Sequence, residues 1–463
     1  MEKEMASEIE ERDGSGRLYR RWIHEPDGRI TEVSTALIPF VSKLASHHRQ
    51  IPVDDTTDTA KIWQTNIRQV LCDAFLPIGY PDSVTPDYLG YQTYDSLQAF
   101  FSTITSLLAN RAILQGLGVG DANSSATYAL LLTILKDGIS RVATIAFAYR
   151  FGLVIEPECK KYRFLADIFN DSAFFLDLFS PLFGTWTKIF AIVAAEALRA
   201  MCGVAAGASK AALSKHFARR NNLSELNAKE SSQETAVGLV GLIVGSIVVR
   251  YVESREAVFT LMVILVFVHL GMNYLGVRCV QLNILNQQRA TILFDAYLNG
   301  GKILSPAEVA AREAIIFWKP VVRTKDQQRV KIVFARSYAD AMVRGATAQV
   351  FRPVVYRDLD EKSSSQLVVC RSGPVPVIKI LLYGDPLRNA KNSTSLFAWY
   401  SAQLLVHLGL DTDAVDENAY GEASERFFFK LEEAGWCLDD TNLDASAPWM
   451  TIGKTKEEDK KER

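Results

Sequence analysis

AVGLVGLIVGSIVV (236–249), RYVESRE (250–256) and AVFTLMVILVFVHLGMNYLGV (257–277) form the stretch of sequence that decides the fold. The second apolar run contains no Asp, Glu, Lys or Arg over about the 20 residues that a helix needs to cross a bilayer. The first run is shorter and reaches that length only if Thr235 and Arg250–Val252 lie at the interface. The sequence therefore predicts a helical hairpin in a membrane. The alternative is a buried hairpin in a large soluble helical protein.

Glycines spaced by four residues occur in the first run, at Gly241 and Gly245, and again upstream at Gly203 and Gly207. Residues four apart lie on one face of a helix, and glycine lets two helix backbones approach closely where apolar attraction cannot drive association. We expect both pairs to form close-packing faces between transmembrane helices.

Composition limits the class of protein. The chain has 463 residues, 48% of them hydrophobic, with a mean hydropathy of +0.05, so that a membrane part must share the chain with a sizeable aqueous part. A net charge of −2 and a pI near 6.4 give no attraction to nucleic acid. The six cysteines are spread singly, which argues against a disulfide framework or a zinc site and is typical of a reducing compartment.

Helical spacing between breaks at glycine and proline predicts six helices, over about 93–116, 126–151, 164–183, 186–208, 236–249 and 257–277. Farther on, segments rich in β-branched residues at 330–334, 366–371 and 375–383 predict strands. The fold class is mainly α: a six-helix, membrane-embedded bundle followed by a smaller α+β domain. The predicted domains are a disordered tail (1–16), a β-hairpin with a linker (17–58), the helical domain (59–282), the α+β domain (283–453) and a charged tail (454–463).

The charges of the connectors favour a membrane topology. If all six helices cross, the second and fourth connectors share one side and contain nine basic residues, against two, Arg250 and Arg255, in the other three. This asymmetry places both termini in the cytosol. The acidic N-terminus, MEKEMASEIEERDG, lacks the features of a transit peptide, so we expect internal helices to target the protein to an intracellular organelle membrane.

Charged residues also lie inside the predicted helices, where each would cost a few kcal/mol if it faced lipid. They either pair inside the bundle, belong to partly interfacial helices, or show that the bundle is soluble; a single span at 257–277 is a further alternative. Asp167 and Asp171 lie one helical turn apart and can face a basic residue across the second connector. The candidates for a polar pathway are Lys136, Asp137, Arg141, Asp167 and Asp171.

Motifs for catalysis are scarce. Lys210, in GASKAAL, superficially resembles a lysine that holds pyridoxal phosphate as a Schiff base, and is the one candidate for cofactor binding. The sequence has no nucleophile–base triad, metal-ligand cluster or phosphate loop, so we predict no catalytic and no metal-binding residue, and an enzyme is the less favoured class.

Five long motifs, in the same order, resemble the root UVB sensitive (RUS) family. They are PIGYPDSVTPDYLGYQTYDSLQAF (77–100), LLTILKDGISRVATIAFAYRFG (131–152), KKYRFLADIFNDSAFFLDLFSP (160–181), GASKAALSKHFARRNNLSELNAKESSQETAVGLVG (207–241) and NQQRATILFDAYLNGGKILSPAEVAAREAI (286–315). The resemblance implies a membrane-associated protein linked to vitamin B6 homeostasis, with no family reaction or catalytic residue to carry over, and pyridoxal phosphate as a cofactor only by association.

Three hypotheses follow. The first is a helical membrane protein with a cytosolic α+β domain that acts in small-molecule homeostasis, with a transport-like pathway. The second is a membrane adaptor that binds another copy of itself or another RUS-family protein. The third is a soluble protein that handles pyridoxal phosphate through Lys210.

Overall fold

The computed structural model describes residues 7–12, 18–24, 30–33, 71–116, 126–342, 347–351, 364–371, 373–384, 393–410, 426–438, 441, 443–444 and 447–451. Residue contacts divide the chain into two units. One comprises Met1–Leu89 with Ser214–Val240, and the other comprises Gly90–Leu213 with Gly241–Arg463. The predicted boundary at residue 282 differs from this division and stays a prediction, while the predicted tail 454–463 lies outside the described residues.

The first unit contains a three-stranded antiparallel sheet, β1 (Ser7–Arg12), β2 (Leu18–His24) and β3 (Ile30–Val33). The predicted strand pair over 17–33 is present, and its predicted turn lies outside the described residues. Strand β1 lies within 1–16, the segment that was predicted to be a disordered tail, and the bounds of that tail stay a prediction. The register of β1 places Glu10 and Glu11 opposite Arg21 and Arg20 of β2.

The same unit joins two of the motif segments that are far apart in sequence. Near the proline-rich segment 77–87, the Ser83 carbonyl accepts a hydrogen bond from the Arg219 backbone N–H at 3.2 Å. Asp87 Oδ2 lies 3.0 Å from His216 Nε2, with both side chains buried. The prolines and glycines prevent regular structure here, yet the segment is packed rather than loose.

Six long helices follow one another in the described residues between 88 and 279, which confirms the predicted mainly helical fold. They are α1 (Tyr88–Gly116), α2 (Ala126–Ile155), α3 (Cys159–Phe179), α4 (Thr185–Phe217), α5 (Leu223–Tyr251) and α6 (Arg255–Cys279).

Two helix boundaries differ from the prediction. Helix α4 continues past Ala208 to Phe217, because no proline or glycine interrupts KAALSKHF, and both Leu213 and Phe217 are buried. Helix α5 begins at Leu223, well before the apolar run. Most of the basic residues assigned to the fourth connector are therefore helical, and the loop between the two helices is short.

Within the second unit, residue pairs fix the directions of the helices. Helix α6 runs antiparallel to α3, since the rings of Phe164 and Tyr274 lie 6.0 Å apart at one end and those of Phe179 and Phe259 lie 5.7 Å apart at the other. It is antiparallel to α1 in the same way, because Gly276 packs near Tyr94 whereas Met262 clusters with α1 fifteen residues later, at Ala109.

The other directions follow by the same reasoning. Helix α5 is parallel to α1, since Gly241 packs against Thr103 and the Val252 carbonyl accepts from Arg111 farther along both helices. Helix α2 is antiparallel to α3: the Phe147–Phe169 rings are 5.9 Å apart and the Phe151–Tyr162 rings 6.2 Å. Helix α4 runs parallel to α2, since Lys136 of α2 pairs with Glu196 of α4 and, farther along both helices, Phe147 clusters with Ala205. This is an up-and-down bundle.

Three helices of the described part, α4, α5 and α6, are long and apolar enough to cross a membrane. In their most apolar 18-residue windows, 22%, 11% and 28% of the residues, respectively, are buried. Most of their apolar surface is thus left uncovered by the protein.

The remaining elements of the second unit form an α+β region. Its elements are α7 (Gln287–Gly300), α8 (Pro306–Arg312), β4 (Val321–Arg323), β5 (Arg329–Phe334), α9 (Tyr338–Ala341), β6 (Thr347–Phe351), β7 (Ser364–Cys370), β8 (Val377–Tyr383), α10 (Ser393–Leu408) and β9 (Trp449–Met450). The sheet order is β4-β5-β8-β7-β6, with β9 beside β8. The three predicted strands are confirmed as β5, β7 and β8.

The core of this region lies between the sheet and helices α7, α8, α10 and 426–433, with Trp399, Phe294 and Phe427 fully buried. Helix α8 begins at a capping box, in which Ser305 and Glu308 satisfy each other's backbone N–H groups. Helix α7 ends at Gly301, whose φ of 64° is a conformation that glycine adopts without strain.

Candidate functional site

A cluster of buried polar side chains lies between α1, α3 and α6, and we call it the polar cluster. On α3 and α6 its members recur every four residues, and on α1 at intervals of four and three, so that each helix points its polar stripe at the others. Every member is at most 8% exposed. The members are Tyr91, Asp95 and Gln98 of α1, Arg163, Asp167 and Asp171 of α3, and His269 and Asn273 of α6.

Arg163 organises one half of the polar cluster. Its Nη2 lies 2.7 Å from Asp95 Oδ1, and its Nη1 lies 3.3 Å from Asp167 Oδ1, one turn along α3. Its Nε donates to the Tyr91 hydroxyl at 3.3 Å. A planar guanidinium can serve several acceptors in this way, which makes arginine suited to a buried ion pair. Arg163 is one of the basic residues that the sequence analysis counted in the second connector, and the structure places it in α3 beside Asp167.

Asp167 lies at the centre. Its Oδ2 accepts hydrogen bonds from Gln98 Nε2 at 2.5 Å and from Asn273 Nδ2. His269 Nε2 is 3.8 Å from the same oxygen. The carboxylate is therefore held by donors from all three helices, and this multiple contact compensates for its burial.

His269 connects Asp167 to Asp171. Its Nδ1 lies 2.9 Å from Asp171 Oδ2, while Oδ1 of the same carboxylate is buried with no hydrogen-bond partner in the described part of the chain. The polar cluster thus contains three carboxylates, one guanidinium and one imidazole. An imidazole between two carboxylates can exchange protons, and an incompletely paired carboxylate can accept a proton, a cation or a hydrogen-bond donor.

The structure splits the predicted pathway residues into two groups. Asp167 and Asp171 lie in the polar cluster, but Asp137 and Arg141 are exposed on α2. Lys136 is half-buried and pairs with Glu196 of α4 at 3.4 Å. The five predicted pathway residues, which lie on α2 and α3, therefore do not meet at one point.

The two glycine pairs also differ. A Cβ added at Gly241 would lie 3.0 Å from Thr103 Cβ, and one at Gly245 would lie 2.6 Å from the end of Leu107. A Cβ added at Gly203 or Gly207 would meet nothing within 4 Å in the described residues. Among the described residues, close packing inside the chain therefore involves Gly241 and Gly245 and not Gly203 or Gly207.

Lys210 lies in α4 and is half-buried, and it interacts with a neighbouring group. It is not a member of the polar cluster. The described residues contain no group of three His, Cys, Asp or Glu side chains placed to hold a metal ion.

Sequence reasoning missed six members of the polar cluster. A signal was present in the most apolar run, where His269 and Asn273 are polar and one turn apart. An ionisable residue in such a run indicates a functional site. A second signal was the spacing of Tyr91, Asp95 and Gln98 on one face of α1.

A second group of buried charges, the Glu313 cluster, comprises Lys160, Arg289 and Glu313. Lys160 Nζ lies 2.6 Å from Glu313 Oε2, and Arg289 Nη1 lies 2.9 Å from Glu313 Oε1. Burial alone would raise the pKa of the Glu313 carboxyl, but the charges and hydrogen bonds of Arg289 and Lys160 outweigh it and hold this pKa below its usual value. Each carboxylate oxygen has a cationic partner.

Comparison with known proteins identifies the family. A sequence model described as "Vitamin B6 photo-protection and homoeostasis domain" matches residues 63–301. The chain belongs to the RUS family. It is 42% identical to "RUS family member 1" of Dictyostelium discoideum over 58% of this chain and 52% of that protein. It is 31% identical to "Protein root UVB sensitive 3" of Arabidopsis thaliana over 72% of this chain and 78% of that protein.

A further relative, "Protein root UVB sensitive 2, chloroplastic" of Arabidopsis thaliana, is 29% identical over 63% of this chain and 67% of that protein. No solved structure matches the chain. The matched region includes α1 to α7 and therefore every member of the polar cluster.

Proposed function

We propose that this RUS-family chain is an integral membrane protein whose six helices enclose a polar pathway for a small polar molecule or a proton, in vitamin B6-related homeostasis. The observation that carries the proposal is the placement of charge. The polar cluster is buried at the centre of the bundle, while the outward faces of its helices carry large apolar side chains.

The outward faces fit lipid better than water. Large exposed side chains include Phe190 (73%), Ile243 (58%) and Phe267 (71%), one on each of the three helices that are long and apolar enough to cross a membrane. Soluble monomers rarely expose apolar surface of this extent. A hydrocarbon environment removes the cost of that exposure, because the bilayer is as apolar as the side chains.

The charges of α3 support a pathway rather than a membrane surface. Buried ionisable residues run from Lys160 to Asp177, a rise of about 25 Å along a helix, close to the roughly 30 Å thickness of the hydrocarbon core. Surrounding helices shield them from lipid. Charged residues inside membrane proteins typically face the bundle interior and mark ion, proton or substrate pathways.

The helix directions favour six crossings over three. Helices α1 and α3 lie along the length of α6, so that a membrane crossed by α6 is crossed by them as well. In an up-and-down bundle of six, the start of α1 and the end of α6 lie on one side. Arg150 and Lys161, on the two sides of the α2–α3 junction, favour the cytosol for that side.

The link to vitamin B6 is taken from the matched domain and names the first substrate to test. The purified protein should be reconstituted into liposomes, with uptake of labelled pyridoxine and proton entry measured in parallel. We expect Asp171→Asn to abolish either flux, since the substitution removes the incompletely paired carboxylate. Asp137→Asn, the same change at an exposed position of α2, is the matched control and should leave the flux intact.

Two outcomes would favour the other hypotheses. The adaptor hypothesis is favoured if cells that express Asp171→Asn in place of the wild type keep full function and the liposomes show no flux. Exposure of Gly203 and Gly207 on an apolar helix supports a contact with another RUS-family chain in that case. If the protein is soluble and its absorbance shows a Schiff base that Lys210→Ala removes, the pyridoxal phosphate hypothesis replaces both.

A further inference from the structure

A cavity of about 380 Å³ lies outside the polar cluster, in the second unit, beside the Glu313 cluster. Its walls come from the α2–α3 connector, the start of α7 and the segment 315–320. The volume lies within the range of small-molecule sites. Its lining separates into a polar end and an apolar end.

The polar end is formed by Lys161 and the first turn of α7. Asn286 caps that helix by accepting from the Arg289 backbone N–H, which leaves the amides of Gln287 and Gln288 outside the intrahelical pattern. Both glutamines line the cavity. Helix N-termini attract negative charge, and an ammonium nearby adds to this attraction.

Gln288 provides an independent indication of a ligand. The residue is 2% exposed and lines the cavity, and its side chain makes no hydrogen bond within the described residues. A side-chain amide that the protein leaves unpaired in the wall of a cavity is available to a ligand. A bound molecule with an acceptor and a donor would satisfy it.

The surrounding charges favour an anion. Lys160, Arg289 and Lys161 outnumber Glu313 and Glu158. Glu158 Oε1 is already engaged by Asn286 Nδ2 at 3.2 Å. Burial raises the pKa of the Glu158 carboxyl, although Arg289 and Lys161 oppose the change.

The apolar end would receive a flat hydrocarbon or aromatic body. Trp318 and Tyr162 offer ring faces and edges, and Ile315 and Ile316 provide aliphatic contacts. Aromatic side chains favour stacked or edge-on contact with another ring.

We propose that this cavity binds a small organic anion, with its anionic group at Lys161 and the start of α7 and its flat apolar body against Trp318 and Tyr162. The site is independent of the pathway through the polar cluster. It would act at the junction of α3 and α7, as a site for a metabolite.

Four probes separate the contributions of the polar and the apolar end of the cavity to binding. They are phenyl phosphate, inorganic phosphate, phenol and benzylamine. Binding to the full-length protein in detergent is measured by ligand-observed NMR, with empty micelles subtracted. We expect phenyl phosphate to bind at least tenfold more tightly than inorganic phosphate or phenol, because it alone engages both ends. Benzylamine should bind most weakly, since the polar end repels its ammonium.

Variants locate the binding. Lys161→Ala should weaken the binding of phenyl phosphate about tenfold, as expected for the loss of one charge-assisted contact, and Lys161→Arg should bind it as the wild type does. Ile316→Trp should abolish binding by filling the cavity at a half-buried position. Lys331→Ala, an exposed lysine of β5, is the control. Equal binding by wild type and Ile316→Trp, with unchanged melting temperatures, would overturn the proposal, as would a preference for benzylamine or no binding of phenyl phosphate.

Discussion

The polar cluster and the Glu313 cluster are both buried groups of charges, but they are paired differently. In the Glu313 cluster one carboxylate receives two cations, one on each oxygen. In the polar cluster one guanidinium pairs with two of the three carboxylates. The third, Asp171, contacts His269 through Oδ2, and its Oδ1 has no hydrogen-bond partner among the described residues. Both clusters are buried, but only in the Glu313 cluster does each carboxylate oxygen have a cationic partner.

The difference separates structure from function. A completely paired buried charge holds helices in place and tolerates no loss of a partner. An incompletely paired one costs stability in the folded protein and is retained where a proton or ligand completes it. The Glu313 cluster therefore fixes α3 against α7, whereas the polar cluster is the one that we propose as a pathway.

Glu313→Gln should have the largest effect on the stability of the protein. Lys160 and Arg289 would remain buried without a counter-charge, which costs about 3–5 kcal/mol of unfolding free energy. Denaturant unfolding in detergent measures this loss. Glu308→Gln is the control, because its ion pair with Lys302 is exposed and glutamine preserves the capping box, so that stability should barely change. Similar losses in both variants would contradict the structural role of Glu313.

A packing contact outside both clusters should have an intermediate effect on stability. In Gly241→Ala the new Cβ would be 3.0 Å from Thr103 Cβ and 3.2 Å from the Phe100 carbonyl oxygen, and the helices must shift, at a cost of about 1–3 kcal/mol. Gly207→Ala meets nothing within 4 Å and should be neutral or stabilise by up to about 1 kcal/mol through helix propensity. Thermal unfolding of the two variants compares them; equal destabilisation would show that Gly207 has an unseen neighbour.

The Glu313 cluster also predicts a dependence on acid. The pKa of Glu313 is lower in the folded protein than in the unfolded chain, where it is about 4.3. Its contribution to stability is complete above the unfolded value and is lost as the pH falls through the folded value. We expect the unfolding free energy of the wild type to decline with acid more steeply than that of Glu313→Gln. Parallel pH profiles would contradict the assignment.

The smallest effect on stability should come from Asp171→Asn. Because one oxygen of Asp171 has no partner, a neutral amide relieves part of the burial cost while it keeps the shape, and the change should stay below about 1 kcal/mol. The same denaturation experiment measures it. A loss as large as that of Glu313→Gln would show that the two clusters have one role.

Much of the architecture could be predicted from local sequence. The uninterrupted apolar runs of the hairpin and the β-branched strands depend on neighbours along the chain, and both were found. The end of α4 was misplaced, because burial of Leu213 and Phe217 by distant residues continues a helix that local charge seemed to end.

The candidate site was predictable only in part. Asp167 and Asp171 are recognisable from their spacing, but the side chains that complete the polar cluster come from α1 and α6, far away in sequence. Nothing local to Asp95 or His269 indicates that they meet Arg163 and Asp171. Asp137 and Arg141 were included for their charge, which does not reveal which face of α2 is covered.

The central claim is that six helices cross a membrane around the polar cluster. Carbonate extraction of cell membranes, followed by protease protection with a tag on each terminus, tests it most directly. We expect the protein in the pellet, with both tags digested from the cytosolic side. Release into the supernatant, or protection of one tag alone, would contradict the claim.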